Sequence, residues 1–179
     1  MIYMFLAEGV EEIEALCPLD IMRRAGLSVK TVGINGRAVV GAHNITVMAD
    51  LAEEELDTSD AELIFLPGGM PGTLNLAKSE RVIKAIKEAV VKDIYIAAIC
   101  AAPSILGDMG LLSGKEAICY PGFEDRLRGA SISNSRVIRD GKIITAAGMG
   151  VALDLGLELV SLFCGEDKAQ SLRKAVIYD

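Results

Sequence analysis

Hydrophobic and polar positions along the 179-residue chain switch repeatedly between two periods. Apolar, β-branched runs at Ile2–Ala7, Ala61–Leu66 and Ile94–Ile99, and an alternating run at Ser28–Ile34, read as strands. Asn35-Gly36 supplies a turn after the Ser28–Ile34 run. Between the strands the period becomes helical. Glu11–Ala25 stops at Gly26, a residue suited to a helix C-terminus. Ser79 caps a second helix to about Lys92, with Val82, Ile83, Ile86 and Val90 as its apolar stripe. The run ending at Cys100 continues as a helix to about Leu112 and a Ser113-Gly114 turn. Val39–Met48 reads as an irregular pair of short strands, Leu51–Asp60 as an acidic surface segment, and Ala117–Tyr120 as a short strand. Arg136–Ile138 and Lys142–Ala146 flank Arg139-Asp140-Gly141, an Asp-Gly hairpin turn. Leu153–Phe163 and Lys168–Val176 close the chain as helices. Strands alternating with helices predict one flavodoxin-like, doubly wound α/β sandwich, with a mostly parallel sheet and a small β-hairpin.

Composition narrows the class without changing this picture. At this length one domain is expected, large enough to bury a core without disulfides or metal. Half the residues are hydrophobic, which argues against disorder. Eighteen basic against 25 acidic residues leave a net charge of −7. Such a surface argues against nucleic-acid and anionic-membrane partners. No apolar run reaches membrane-spanning length. Met1-Ile2-Tyr3-Met4 enters a strand without a basic leader, so no signal peptide is expected. The cysteines Cys17, Cys100, Cys119 and Cys164 are scattered, and His43 is the one histidine. That pattern predicts a reduced, cytoplasmic protein with no zinc site and no metal.

The candidate chemistry gathers at strand ends, because parallel strands bring their C-terminal ends to one edge. Cys100 stands at an abrupt strand-to-helix turn, where a helix N-terminus favours the thiolate. The bland alternative is a small buried residue that happens to be cysteine. Pro67-Gly68-Gly69 ends another strand, and its N–H groups, with that of Ala101, can form an oxyanion hole beside Cys100. Without Cys100 it would be an ordinary tight turn. On the first helix Val10, Cys17 and Ile21 form an apolar stripe, and Glu14 falls on it. A carboxyl there loses hydration, which favours its neutral form and lets it donate to a thiolate. Glu8, Glu11 and Glu12 are expected to face solvent more easily. Pro18 lacks the N–H that would bond the Glu14 carbonyl, so an irregular helix is expected there. His43 reads as a surface residue in a loop, Tyr120 as packing at a strand end, and Cys17 and Cys164 as core. Arg23-Arg24 complement the dipole at the end of the first helix.

Glu11-Glu12-Ile13-Glu14, Asp20-Ile21-Met22-Arg23-Arg24-Ala25-Gly26, Leu66-Pro67-Gly68-Gly69 and Ala97-Ala98-Ile99-Cys100-Ala101-Ala102-Pro103 together carry a family resemblance. The chain resembles the ThiJ/PfpI superfamily, in the branch of the Parkinsonism-associated deglycase (DJ-one type), from its first strand to its last helix. The resemblance implies a single ThiJ/PfpI-like (class I glutamine amidotransferase-like) domain over residues 1–179. It implies Cys100 as nucleophile in a strained elbow, and Glu14 as its protonated carboxyl partner. It implies the Gly69 and Ala101 amides as donors to an oxyanion or sulfinate, and Arg24 as an arginine near the pocket. It also implies a homodimer, with His43 of the neighbouring subunit reaching toward the site from a position where relatives carry arginine. Several relatives place histidine where this chain has Tyr120, so no Cys-His-Glu triad is expected within one subunit.

Three functions follow as expectations, none with a cofactor. The first is a glutathione-independent glyoxalase or protein deglycase, in which Cys100 attacks an α-oxoaldehyde or its adduct on protein. The second is an oxidative-stress sensor or chaperone acting through a stabilised Cys100 sulfinate. The third is a peptidase or amidotransferase-like hydrolase, disfavoured by the missing histidine.

Overall fold

The computed structural model describes residues 1–178. Seven strands form one sheet, flanked by helices on both faces. In chain order the elements begin β1 (Ile2–Leu6), α1 (Glu12–Ala25), β2 (Val29–Gly33), β3 (Ala38–Val40), β4 (Thr46–Met48), β5 (Leu51–Ala52) and β6 (Leu63–Leu66). They continue α2 (Gly72–Lys78), α3 (Glu80–Val91), β7 (Tyr95–Ile99), α4 (Pro103–Asp108), β8 (Glu116–Ala117) and β9 (Ser131–Ile132). The chain closes with β10 (Val137–Asp140), β11 (Ile143–Ala146), α5 (Ala152–Cys164) and α6 (Glu166–Ala175). The sheet order is β10-β11-β7-β6-β1-β2-β5, and only the edge strand β10 runs antiparallel to its neighbour.

Side-chain alternation along the central strands divides the core. Tyr3 and Phe5 of β1 and Ile96 and Ala98 of β7 face a layer with Leu76 of α2, Val82 and Ile86 of α3, and Ile105 and Leu106 of α4. Met4 and Leu6, with Ala97 and Ile99, face the other layer, made by Ala15, Leu19 and Met22 of α1 and Leu155 and Leu159 of α5. Every residue of β1 and β6 is buried, as a sheet covered on both faces requires.

Several expectations need correction. The stripe of α3 is Val82, Ala85, Ile86 and Ala89, whereas Val90 is exposed; the helix rotates so that its alanines approach the sheet. Leu51-Ala52 forms the edge strand β5 beside β2, and Gly72–Lys78 forms the unforeseen α2. The helix after Cys100 is only six residues long. The Asp-Gly hairpin forms as expected, as β10 and β11, and because β11 also pairs in parallel with β7 it extends the main sheet. The separate antiparallel pair is β3–β4. Helix α1 runs unbroken through Pro18. Cys164 is exposed and Cys17 half-buried, so neither is a core residue.

Candidate active site

The strand order reverses around β1, because the chain passes from β1 to β2 on one side and later to β6 on the other. The crevice outside the C-terminal ends of such strands is where α/β sheets bind ligands. Loops leaving β1, β6, β7 and β11 meet there. Glu11 N–H donates to the Gly68 carbonyl at 3.0 Å, and Gly72 N–H to that of Gly9 at 3.1 Å, which joins the β1 loop to the β6 loop. Cys100 N–H donates to Ala146 at 3.0 Å, and Tyr120 N–H to Cys100 at 2.8 Å, which ties the β7 turn to its other neighbours.

Cys100 has φ +65°, in the left-handed region that non-glycine residues seldom occupy. A cysteine held so, at the end of a strand buried from Ile96 onward, has been forced out of strand geometry by its surroundings, and such strain gathers at functional sites. Gly68 makes the close approach possible: a Cβ there would lie 2.6 Å from the Cys100 Cβ and would overlap the Glu14 carboxyl. Gly69 has φ +92°, and a Cβ on it would meet Gly9 O at 2.6 Å.

Glu14 lies in the first turn of α1 and is wholly buried. Its Oε2 accepts the Gly68 N–H at 3.1 Å. Gly68 therefore serves the carboxyl, and the donors turned on Cys100 are the Gly69 and Ala101 amides. Oε1 of Glu14 is buried and takes no well-formed hydrogen bond from the described residues. It lies 3.8 Å from the point a Gly148 Cβ would occupy, and Tyr120 Cδ2 is 3.2 Å from that same point. Tyr120 is half exposed, so its ring forms an outer wall over Gly148 rather than core packing.

Burial is the largest influence on both groups of the pair. It pushes the Glu14 carboxyl up to about 7, with the charge of Glu11 adding to the rise. The Cys100 thiol and the Gly68 and Met149 N–H groups oppose that rise. Burial likewise pushes the Cys100 thiol up, and an ionised Glu14 pushes it further, against the pull of the Gly69 and Ala101 amides. The expected lowering by a helix N-terminus is thus outweighed. Helix α4 is short and starts three residues beyond the sulfur, whereas the carboxyl is in hydrogen-bond contact. A proton on Glu14 removes the anionic neighbour, so one proton is shared and the thiolate is favoured when the carboxyl is neutral.

Not every predicted residue joins this group. Arg24 stands ten residues beyond Glu14 on α1, about 15 Å along the axis. It is exposed and paired with Asp20 at 2.6 Å. His43 is held within its own chain, with Nδ1 2.9 Å from Glu12 Oε2. Glu11 and Glu12, expected in solvent, are 6% and 5% exposed. The loop Gly41–Ile45 folds back over the start of α1 and covers them, and Gly41 is needed for it: a Cβ there would lie 2.7 Å from the Glu12 Cγ. Gly148 and Met149 went unrecognised in the sequence. The available signal was the small-residue run Ala146-Ala147-Gly148, which becomes meaningful only once β11 is known to lie parallel to β7. Clefts of about 500 Å³ beside Asn35 and Asn75, and of about 440 Å³ beside Arg136 and Asp154, contain neither Cys100 nor Glu14.

A doubly wound sheet with a strained cysteine at a strand–helix elbow and a buried glutamate against it defines a class of α/β cysteine proteins. The chain belongs to the DJ-1/PfpI family, whose model matches residues 1–162. It is 37% identical over 167 residues to protein DJ-1 homolog B of Arabidopsis thaliana, covering 92% of this chain but 38% of that longer protein. It is 29% identical over 169 residues to the glutathione-independent glyoxalase DJR-1.2 of Caenorhabditis elegans, covering 93% of this chain and 90% of the relative. Among solved structures, oxidized Toxoplasma gondii DJ-1 superposes with a TM-score of 0.94 at 30% identity, covering 99% of this chain and 97% of that one. No helix among the described residues is long and apolar enough to cross a membrane.

Proposed function

We propose that the protein is a glutathione-independent glyoxalase that converts small α-oxoaldehydes to 2-hydroxy acids, with early adducts of such aldehydes on protein as a second substrate class. The observation that carries this reading is the contact of Cys100 with a fully buried Glu14 whose Oε1 takes no well-formed hydrogen bond. Such an oxygen can take and return a proton at an adjacent substrate atom. The Cys100 sulfur adds to the aldehyde carbon, forming a C–S bond, and the carbonyl electron pair moves to oxygen. The Gly69 and Ala101 amides steady that oxygen. The neutral Glu14 first gives its proton to that oxygen. As a carboxylate it then takes the proton from the former aldehyde carbon and returns it to the neighbouring carbonyl carbon, while the hydroxyl proton passes to that carbon's oxygen. The first carbon is oxidised and the second reduced within one molecule, so no external oxidant or reductant enters. Water cleaves the resulting thioester, releasing the hydroxy acid and restoring the thiol. The C. elegans relative named as a glyoxalase supports the same reading.

The test is formation of lactate from methylglyoxal without glutathione. Cys100→Ala is expected to reduce kcat/KM by about 10³-fold or more, to the level of solution chemistry, with the melting temperature retained. Full turnover in that variant would overturn the reading. A second reading has its own support: the same two amides can hold a Cys100 sulfinate, and the Toxoplasma neighbour is described as oxidized. Mild peroxide should then add mass at Cys100, whose oxidised sulfur the two amides can hold, before Cys119, which is buried in the core. Equal rates at the two cysteines would remove it. Four free cysteines support a reducing, cytoplasmic setting for either activity.

A further inference from the structure

We propose that Glu11, Glu12 and His43 form a binding site for one divalent transition-metal cation of the Zn²⁺ type at the start of α1. One ligand atom from each lies within 4.8 Å of the other two. Carboxylates are seldom buried unless paired, yet two consecutive ones are buried here. The positive end of a helix favours acidic residues, but Glu11, at the cap position of α1, makes no side-chain cap hydrogen bond. Its side chain is only 8% exposed, and Oε2 points at His43 Nδ1 across 3.5 Å. No hydrogen-bond donor outside the cluster serves that carboxylate among the described residues, and its oxygen faces the space between the three groups.

The other two ligands are already oriented. His43 N–H donates to Glu12 Oε1 at 2.8 Å, which turns Oε2 toward the cluster, 2.9 Å from His43 Nδ1. Ala42 N–H donates to the Val10 carbonyl at 2.8 Å and pins the loop that carries His43. Tetrahedral zinc with bonds of about 2.0–2.2 Å holds its ligand atoms about 3.3–3.5 Å apart. The 3.5 Å and 2.9 Å separations from His43 Nδ1 lie near that distance, and the two carboxylate oxygens lie within 4.8 Å of each other, so side-chain adjustment brings the three to it. Two carboxylates and a neutral imidazole carry two negative charges, matching a dication. One nitrogen and few oxygens suit Zn²⁺, Co²⁺ or Ni²⁺ better than Ca²⁺ or Mg²⁺, which demand more oxygen ligands. The imidazole is 65% exposed, so the ion has an entry path and water can fill its open position. On binding, the ion replaces the proton that His43 Nδ1 shares with Glu12, and that proton is released to solvent.

The test titrates ZnCl₂ and CoCl₂ into the full chain and into its Cys100→Ser, Glu11→Gln and His43→Ala variants. One equivalent is expected, with a rise in melting temperature on Zn²⁺ and a cobalt spectrum lacking the thiolate charge-transfer band. Cys100→Ser should leave the affinity unchanged, whereas Glu11→Gln and His43→Ala should weaken it by about tenfold or more. His43→Ala removes an exposed side chain, and far-UV circular dichroism confirms that it folds. Absence of any melting shift at about 1 mM Zn²⁺, equal affinity in the His43→Ala variant, or loss of binding in Cys100→Ser would each overturn the proposal.

Discussion

A single backbone angle and a single missing Cβ build the reactive centre. Cys100 sits at φ +65° because its N–H is drawn to Ala146 and its carbonyl to Tyr120 N–H, leaving the side chain turned out of the strand. Gly68 lets that side chain and Glu14 meet, and its own N–H orients the carboxyl. Glutamine at position 14 would keep an oxygen for that N–H but could not carry a proton between substrate atoms. Glu14→Gln is therefore expected to lower kcat/KM for methylglyoxal by about 10²- to 10⁴-fold. It should also speed alkylation of Cys100 at pH 7, because the anionic neighbour that pushes the thiol up is gone. A variant inactive for structural reasons alone would not show the second effect, so measuring both rates separates the two.

At the level of elements, the placement of Glu14 depends on how closely α1 lies on α5. Gly156 of α5 permits that approach: a Cβ there would be 3.1 Å from both Pro18 Cα and Ile21 Cβ. Pro18 had suggested an irregular helix, and it instead marks the face where α1 meets its partner. Valine at position 156 would push the helices apart. Gly156→Val is expected to cost about 1–3 kcal/mol in urea unfolding. Under the proposed function, methylglyoxal turnover should fall as well, since Glu14 rides on the displaced helix. An unchanged denaturation midpoint would show that the crossing tolerates the added bulk. The same logic explains α3, where alanines rather than Val90 face the sheet because closeness, not side-chain size, sets the stripe.

For the whole molecule, a polar tie far from the catalytic edge joins α1, β2 and the β4–β5 connection. Asp50 Oδ2 accepts from Thr31 N at 2.8 Å, Thr31 Oγ1 at 2.9 Å and Arg23 Nη2 at 2.6 Å. Burial raises its pKa, but the Thr31 hydrogen bonds and the Arg23 charge outweigh that and hold it below the usual carboxylate value. A folded pKa below the unfolded one stabilises the protein above the unfolded value, near 3.9, and that contribution is lost as pH falls through the folded value. The group is partly exposed, so Asp50→Asn is expected to cost only about 1 kcal/mol at pH 7. The difference from the parent should shrink as pH falls below about 4. Unfolding by denaturant at pH 7 and at lower pH checks the sign, and a gap that widens in acid would contradict it.

Strands, helices and the Cys100 turn were legible where local pattern and burial agree. The runs through Ile2, Ala61 and Ile94, the Gly26 stop at φ +89° and the Ser79 cap all lie where hydrophobic period and turn chemistry place them. The pairing of Glu14 with Cys100 was legible too, because a carboxyl on an apolar stripe and a thiol at a strand end are both local signals. What stayed hidden depends on distant neighbours. Burial of Glu11 and Glu12 comes from a loop some 30 residues away, their polar chemistry having predicted solvent. The roles of Gly148 and Met149 follow from strand order, and strand order has no local signature. By itself the sequence determined the alternating α/β pattern, the cysteine at its turn and the acid on its stripe, since side-chain period and turn preference act over a few residues. Tertiary structure alone decided that Gly68 serves the carboxyl rather than the oxyanion and that burial, not the helix end, governs the thiol. It also decided that His43 lies against two buried glutamates, because desolvation and hydrogen-bond partners are set by what packs from elsewhere in the chain.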